Sequence, residues 1–310
     1  MVQTEIAIKP QGPFSWAAAN DVGQRFGPVR HNWQEDAVRM TFLLDSSFAP
    51  VGVDLRFEDG CLRGEVAGSD DAGAVERQVA RIFSLDADGS SYPAVGSRDP
   101  AVGRLMEALP GLRPVCFTSP YEAATWAVIS QRISMIQAAA IKARLTAAHG
   151  QLLSVGGGPI RCFPTPEQLL EVRSVPGLAA EKVERLHGVA RAALAGLLDC
   201  DRLRALGDED GPASVRVIPG IGPFWASGIY LRGCGIQDVF PDEPVALAAL
   251  GRLHDLGDQP SPAQVAALTE PYSPFRMWVC FLLRVAVGRG LIEGVAGREM
   301  GLRRQHRAKG

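Results

Sequence analysis

The sequence predicts an α+β fold, in which a small N-terminal α/β sheet domain precedes an all-α domain. The chain has 310 residues, a length that commonly forms two domains. Alternation of apolar and polar residues, typical of strands, is confined to about the first 110 residues, whereas helical periodicity dominates from about residue 119. We therefore divide the chain into domains at 1–115 and 116–296, followed by a basic tail at 297–310.

The N-terminal domain carries a β-hairpin signal. Val51 to Phe57 alternates, Glu58-Asp59-Gly60 supplies a turn, and Cys61 to Val66 returns along the first strand. Another strand and two helices are expected at 38–44, 16–26 and 71–83. The helix over 71–83 repeats apolar residues at i, i+4 and i+7, so one of its faces is expected to pack against the sheet.

Helix-capping signals mark the second domain. Ser119-Pro120-Tyr121-Glu122 places a capping serine before a proline at the first helical position, and Thr165-Pro166-Glu167-Gln168 repeats the pattern. Residues 156–159 are expected to form a loop. Further helices are predicted at 136–148, 180–198, from 201, 244–256, 262–269 and 274–288.

Composition excludes several classes of protein. Apolar residues make up 46% and charged residues 21% of the chain, as in globular proteins with a sizeable core. The longest apolar stretch, Met277 to Val287, is interrupted by Arg284 and is too short to cross a membrane. The N-terminus lacks the pattern of a secretory signal. We expect a cytoplasmic protein and exclude membrane-spanning, collagen-like and mostly disordered classes.

The cysteines and histidines do not predict a metal site. The six cysteines are at least 34 residues apart and form no C-x-x-C motif, which argues against a zinc ribbon, a thioredoxin-type site or a four-cysteine iron–sulfur cluster. The five histidines are equally scattered. Few, dispersed cysteines are typical of a reducing compartment, and we interpret them as small buried apolar residues.

Charge is distributed unevenly along the chain. The net charge is −2, but residues 1–110 hold 10 basic and 16 acidic side chains, and residues 111–310 hold 22 and 18. This difference is either chance variation between domains or the sign of an acidic accessory part and a mildly basic working part.

The most informative segment is Ile218-Pro219-Gly220-Ile221-Gly222-Pro223. Its two glycines permit positive φ and a tight hairpin without obstructing side chains. A helix predicted to begin near Pro223 has free backbone N–H groups beside the hairpin, and such an arrangement binds phosphate without net basic charge. A plain helix–helix turn capped by glycine is the alternative.

The residues around the hairpin resemble a known family. Ile218 to Ala226, Leu231-Arg232-Gly233 and Asp238-Val239-Phe240-Pro241 look like the helix-hairpin-helix signature of DNA glycosylases, most similar to the bacterial 3-methyladenine DNA glycosylase II family. Other segments match that family in order, namely 129–134, 163–167, 177–178 with Lys182, and 274–276. The match spans about 119–290, and the N-terminal part is weakly similar to the family's small α/β domain.

This resemblance implies a base-excision repair enzyme. It would bind double-stranded DNA containing a damaged base, flip the altered nucleotide out and hydrolyse the N-glycosidic bond of an alkylated, 3-methyladenine-type base. The resemblance implies a monomer that needs no cofactor, although hairpin carbonyls can hold a monovalent cation. It assigns DNA contacts to the hairpin residues and to three polar side chains, namely Pro219, Gly220, Ile221, Gly222, Gln131, Lys182 and Arg276.

The resemblance also suggests an aromatic base pocket. Electron-poor alkylated bases are attracted to aromatic walls, for which Phe224 and Trp126 are the candidates. Bifunctional relatives carry a lysine where Phe224 stands, and that amine cuts the strand through a Schiff base. Phe224 has no amine, so we predict a monofunctional enzyme. Packing in the helical core is the alternative for both side chains, as solvated surface charge is for Lys182 and Arg276.

The sequence departs from the family at the catalytic position. The family's aspartate, whose carboxylate stabilises the positive charge that develops on the sugar, usually lies four residues after the phenylalanine equivalent to Phe240. That position is Pro244, which has no such chemistry. Because proline suits the first turn of a helix, Glu243 is expected at or near the N-cap. We rank Glu243 above Asp242 as the catalytic carboxylate, with Asp242 as an alternative helix cap.

Three hypotheses follow for the function. The first is a glycosylase that uses Glu243 or Asp242. The second is a damaged-DNA-binding protein without turnover, in which both are solvated turn acids. The third, a helical scaffold that no longer binds DNA, is disfavoured by the intact Pro219-Gly220-Ile221-Gly222 turn.

Overall fold

The computed structural model describes residues 4–25 and 31–295, so the predicted basic tail at 297–310 lies outside the described residues. A five-stranded antiparallel sheet has the order β1-β5-β4-β3-β2. Its strands are β1 (Thr4–Ile8), β2 (Asn32–Trp33), β3 (Ala37–Leu43), β4 (Pro50–Glu58) and β5 (Cys61–Ala67).

Helices form about half of the described chain. In the first part they are α1 (Trp16–Arg25), α2 (Ala72–Ile82), α3 (Pro93–Arg98) and α4 (Pro100–Ala108). In the second part they are α5 (Pro120–Ser130), α6 (Met135–His149), α7 (Pro166–Leu170), α8 (Ala180–Leu194), α9 (Cys200–Val215), α10 (Pro223–Gly228), α11 (Pro244–Leu253), α12 (Pro262–Thr269) and α13 (Arg276–Gly288). A π-helical turn (Ile229–Gly233) continues α10, and α9 is kinked at Gly207.

The local signals in the sequence lie where the structure has its turns and caps. Asp59 and Gly60 both have positive φ between β4 and β5, as a tight hairpin turn requires. Ser119 accepts a hydrogen bond from the Glu122 N–H at the start of α5, and Thr165 forms a capping box with Gln168 at α7. The predicted hairpin and both capped helices are thus confirmed. Strands β1 and β2 and helices α3 and α4 have no counterpart among the sequence predictions.

The helical part is not entirely helical. Strands β6 (Leu152–Val155) and β7 (Gly158–Arg161) form a second, two-stranded sheet where the sequence predicted only a loop. Gly156 and Gly157, both at positive φ, make the turn between them. This hairpin packs on the main sheet, where the Thr41 hydroxyl donates to the Arg161 carbonyl at 2.9 Å. Strands of four residues are too short for alternation to reveal, and packing on the larger sheet stabilises them.

Helix α5 lies at the centre of the helical part. All of its eleven residues are buried, and it contacts α6, α8 and the π-helical turn. Its one acidic side chain, Glu122, pairs with Lys142 of α6 at 2.8 Å. Because α5 is enclosed on every side, its C-terminal end fixes the position of the Gln131 loop that follows.

A buried arginine joins the first sheet to the helical part. Arg81 of α2 is 3% exposed and donates to the Asp45 carboxylate at 2.6 Å, to the Thr118 carbonyl at 3.0 Å, and to the Gly233 carbonyl. Its partners therefore come from a sheet loop, the approach to α5 and the end of the π-helical turn. No helix within residues 4–25 and 31–295 is long and apolar enough to cross a membrane.

Candidate functional site

The Gly-rich segment forms a tight hairpin between α9 and α10. Ile218 and Ile221 are buried, and the Ile221 N–H donates to the Ile218 carbonyl at 3.0 Å to close the turn. Gly220 has φ of +89°, a conformation that side chains disfavour. Gly222 is the N-cap of α10, and Pro223 is at its first position, as the sequence predicted. The two isoleucines thus anchor a turn whose glycines face solvent.

Helix α8 and the α5–α6 loop support the hairpin. The Gln131 amide donates to the Gly220 carbonyl at 2.7 Å, and Arg185 donates to the Gln131 side-chain oxygen at 3.0 Å. A Cβ at Gly220 would lie 2.9 Å from Cδ of Arg185. Gln131 is therefore placed beside the hairpin, where its predicted role as a DNA contact remains a prediction. Arg185 is a neighbour that the sequence reasoning missed, although it lies one helical turn from Lys182.

Lys182 and Arg276 have internal partners. The Lys182 ammonium donates to the carbonyls of Ile129 and Gln131, at 2.8 and 2.6 Å, and so caps the C-terminal end of α5. Burial lowers the pKa of Lys182, and Arg185 adds to the effect. Arg276 pairs with Asp238 at 2.9 Å and donates to the Thr269 carbonyl at 3.1 Å. The alternative of purely solvated surface charge is wrong for both, and phosphate contact stays a prediction.

The two candidate pocket aromatics differ in exposure. Phe224, in the first turn of α10, is 53% exposed and contacts the ring of Trp225 edge-on at 5.5 Å. Trp126 is 1% exposed and lies inside the core around α5. Trp126 therefore packs in the helical core, and its assignment to the base pocket is wrong. A fully buried ring has no exposed face on which a base could stack. Phe224 remains an available aromatic surface.

Glu243 is the N-cap residue of α11. Its carboxylate Oε2 accepts a hydrogen bond from the Ala246 N–H at 2.7 Å, and Pro244 is at the first helical position. Glu243 is only 9% exposed, whereas Asp242 is exposed. The alternative that Asp242 caps the helix is therefore wrong. Pro244 fixes the start of α11, so the preceding residue, Glu243, lies at the N-terminal end of that helix.

The second oxygen of this carboxylate is paired with an arginine of α13. The distance from Arg284 Nη1 to Glu243 Oε1 is 2.6 Å, and the arginine side chain is 27% exposed. In the sequence, Arg284 is visible only as an interruption of an apolar stretch. A lone charge inside such a stretch was the available signal, since a charge on a buried helix face requires a partner. The hydrogen bond from the Ala246 N–H and the ion pair with Arg284 together hold the Glu243 carboxylate in one position.

The loop before Glu243 is tied to the start of α13. The Met277 N–H donates to the Gln237 carbonyl at 2.8 Å, and Asp238 accepts from the Ser273 hydroxyl at 2.7 Å as well as pairing with Arg276. These contacts position the segment that leads into α11. Arg276 therefore acts on the placement of Glu243 through the loop, in addition to any contact it makes with DNA.

The described residues do not suggest a metal centre. No group of three or more histidine, cysteine, aspartate or glutamate side chains in residues 4–25 and 31–295 is arranged to hold a metal ion. The Gly220 carbonyl accepts one hydrogen bond, from Gln131, and keeps a second lone pair. A bound cation at the hairpin stays a prediction.

Comparison with known proteins gives the family. The chain is 31% identical to DNA-3-methyladenine glycosylase 2 of Escherichia coli (strain K12) over 207 residues, which cover 65% of this chain and 67% of that protein. The chain belongs to the DNA-3-methyladenine glycosylase family. A second member, DNA-3-methyladenine glycosylase of Bacillus subtilis (strain 168), is 24% identical over 67% of this chain and 71% of its own length. No family model matches the chain.

Solved glycosylase structures share the fold. A 3-methyladenine DNA-glycosylase from Archaeoglobus fulgidus superposes with a TM-score of 0.75 at 21% identity, over 91% of this chain and 98% of that one. The 8-oxoguanine glycosylase/lyase of Clostridium acetobutylicum, in complex with double-stranded DNA, gives 0.66 at 16% identity, over 94% of this chain and 99% of that one. The family resemblance and the α+β fold class are confirmed.

Proposed function

We propose that this protein is a monofunctional DNA glycosylase, which hydrolyses the bond between an alkylated, 3-methyladenine-type base and deoxyribose in duplex DNA. Family membership supports this reaction class, since the E. coli relative is named DNA-3-methyladenine glycosylase 2. The observation that carries the proposal is the Glu243 carboxylate, buried at the N-cap of α11 and fixed by Ala246 and Arg284. In the family that the sequence resembles, an aspartate near this position stabilises the positive charge that develops on the sugar.

The proposed mechanism requires a fixed negative charge near the sugar. As the C1′–N bond breaks, its electron pair leaves with the base and positive charge develops on the sugar ring. The Glu243 carboxylate stabilises that charge, and preorganised charge of this kind is usually the largest contribution to catalysis. Each carboxylate oxygen has two lone pairs, so the two described partners leave acceptor capacity for an attacking water.

The hairpin supplies the proposed attachment to duplex DNA. The backbone N–H groups of Gly220, Gly222 and Phe224 lie in the exposed turn and at the start of α10, and the Arg185 side chain lies beside Gly220. Such groups bind phosphate without reading the base sequence. Affinity should therefore fall steadily as salt concentration rises, because binding to phosphate releases counterions. Solved relatives in complex with DNA agree with this role.

The second candidate function is damaged-DNA binding without turnover. The same ion pair favours it, because a carboxylate neutralised by Arg284 stabilises a sugar cation less than a free one would. Both candidates share the hairpin and differ only in whether the base is released.

Base release and DNA binding measured on the same oligonucleotides test the proposal. Duplexes contain either N3-methyladenine or 1,N6-ethenoadenine, and released base is quantified while a gel shift reports binding at several salt concentrations. We expect release above the spontaneous rate, with an abasic strand that stays intact until alkali is added, since Phe224 has no amine. Salt-sensitive binding with no release from either lesion would favour the second candidate.

The Gly220→Ala variant is expected to bind duplex DNA about tenfold more weakly, which is about 1.4 kcal/mol. Alanine disfavours the φ of +89°, and its Cβ would lie 2.9 Å from Arg185 Cδ, so the turn must shift. The matched control is Gly196→Ala, which has φ of +74° with nothing near its Cβ, away from the hairpin. An equal loss of affinity in both variants would argue against a hairpin contact.

A further inference from the structure

Two of the buried cysteines meet, although they lie far apart in the sequence. Cys200 is the first residue of α9, and Cys234 directly follows the π-helical turn, against which α9 packs. Their thiols form a hydrogen bond, in which the Cys234 S–H donates to the Cys200 sulfur. A disulfide bond needs its sulfurs about 2.05 Å apart, so two thiols already in contact require only a small approach.

Contacts that do not involve sulfur hold the two cysteines together. Arg204, which lies one helical turn after Cys200 on α9, donates to the Cys234 carbonyl at 2.7 Å. Arg81 donates to the carbonyl of Gly233, the residue before Cys234. The start of α9 therefore stays beside the end of the π-helical turn whether the thiols are reduced or bonded to each other.

The two thiols differ in acidity. The hydrogen bond from Cys234 lowers the pKa of Cys200. The positive charges of Arg81 and Arg204 act in the same direction, whereas burial and the charge of Asp45 oppose the effect. The same hydrogen bond, together with burial, raises the pKa of Cys234 well above its ordinary value. Because the thiolate is the nucleophilic form of cysteine, Cys200 is the more reactive of the two.

We propose that Cys200 and Cys234 are a redox modification site, at which hydrogen peroxide converts the two thiols into a disulfide bond. Cys200 attacks the peroxide, and Cys234 resolves the intermediate. The bond joins the two ends of residues 200–234, which we call the hairpin unit because they contain α9, the hairpin, α10 and the π-helical turn. This modification is independent of whether the protein releases bases.

The reaction consumes one peroxide and two thiols. The Cys200 thiolate attacks one peroxide oxygen, the O–O bond breaks and hydroxide leaves, so that Cys200 becomes a sulfenic acid. The Cys234 sulfur then attacks the Cys200 sulfur, the S–S bond forms and the S–O bond breaks. The departing oxygen takes the Cys234 proton, and the first hydroxide takes the proton that Cys200 had lost. Two electrons have passed from the thiols to the peroxide, which is reduced to two water molecules.

Burial selects a small oxidant. Cys200 is 4% exposed and Cys234 is fully buried, whereas Asp201, the residue after Cys200, is exposed. The Cys200 thiol thus lies directly beneath the surface, where local fluctuations at the start of α9 admit a small uncharged molecule such as hydrogen peroxide. A bulky aromatic disulfide reagent is excluded from the folded protein.

The disulfide bond stabilises the hairpin unit without moving the hairpin. It closes a loop over residues 200–234 and thereby restricts the unfolded chain, which raises the stability of the folded state. The two sulfurs are already in contact and belong to the ends of the unit, so residues 218–222 keep their conformation. Oxidation is therefore expected to preserve the DNA-binding surface.

Mapping of the bond in the unaltered protein is the direct test. Hydrogen peroxide is added to the folded protein, the remaining thiols are blocked with N-ethylmaleimide in denaturant, and the chain is digested with trypsin. We expect peptides 192–202 and 233–252 to be joined, with a mass lower by two hydrogen atoms than the sum of the two. The temperature of unfolding should rise by about 5 °C on oxidation and return after addition of dithiothreitol.

Cysteine variants separate the two roles. Cys234→Ala should stop the reaction at the sulfenic acid of Cys200, which dimedone traps as a covalent adduct. Cys200→Ala should give neither the adduct at Cys234 nor the rise in unfolding temperature. The matched control is Cys116→Ala, because Cys116 is also buried near Arg81 but lies 3.9 Å from the Ser84 hydroxyl. This variant should form the Cys200–Cys234 bond like the unaltered protein.

Three results would overturn the proposal. The first is peroxide modification of Cys61, which is more exposed than the other five cysteines, with both Cys200 and Cys234 still reduced. The second is an equal rise in unfolding temperature in Cys200→Ala. The third is a loss of affinity for duplex DNA of more than about tenfold on oxidation, because the bond should change that affinity by less than about twofold. None of these measurements depends on base release, so failure of the proposed glycosylase function would leave the test intact.

Discussion

Glu243→Gln is expected to lower the rate of base release by at least about 100-fold, the usual cost of removing one preorganised electrostatic group. The amide retains an oxygen that can accept from the Ala246 N–H, so the cap of α11 survives. It loses the negative charge that faces the developing sugar cation and pairs with Arg284. Single-turnover release from lesion-containing duplex DNA measures the effect, and DNA affinity should stay within about threefold because phosphate contacts dominate it.

The control for this variant is Asp242→Asn. Asp242 precedes Glu243 but is exposed and does not cap the helix, so its loss should change release by less than about threefold. Circular dichroism and thermal unfolding would test whether both variants are folded. Full activity in a Glu243→Gln, Asp242→Asn double variant would refute the carboxylate mechanism.

Arg81→Met is expected to lower the free energy of unfolding by about 3–5 kcal/mol, as when one partner of a buried ion pair is removed. Burial raises the pKa of Asp45, and Arg81 opposes that rise, so the variant leaves a carboxylate without its compensating cation. The carbonyls of Thr118 and Gly233 also lose their donor. Urea unfolding monitored by fluorescence and circular dichroism gives the difference.

A surface arginine serves as the reference for this measurement. Arg25→Met removes an exposed partner of Asp21 four residues away on α1, and exposed pairs of this kind contribute about 0.3–0.5 kcal/mol. If Arg81→Met lowered the free energy of unfolding no more than Arg25→Met did, the buried arginine would not be a stabilising link between the sheet and the helical part.

The register before α11 shows where counting along the sequence misleads. Counting four residues from Phe240 leads to Pro244, which has no catalytic chemistry. Proline cannot donate a backbone hydrogen bond and has a fixed φ, so it occupies the first helical position and the residue before it becomes the cap. The helix boundary, rather than the residue count, therefore places the Glu243 carboxylate at the N-terminal end of α11.

The sequence by itself determined the helix caps, the tight turns and the family, because these features depend on residues that are close together in the chain. Contacts between residues at most four positions apart determine the helix caps at Ser119 and Thr165, the Asp59-Gly60 turn and the start of α10. The residue types at those positions are typical of caps and turns, so the sequence predicts them. The order of motifs through the helical part was sufficient for the family. These features depend on neighbours in the chain, which a sequence displays directly.

Tertiary structure decided the rest. The β6–β7 hairpin is stable because it packs on a sheet more than 100 residues earlier, with Thr41 bonded to Arg161. Trp126 is enclosed because α5 is surrounded by other helices, which its own sequence cannot specify. Arg284 reaches Glu243 from 41 positions away, across the packing of α11 on α13. Burial and long-range charge depend on what the fold brings together, so the electrostatic character of the site could be known only from the structure.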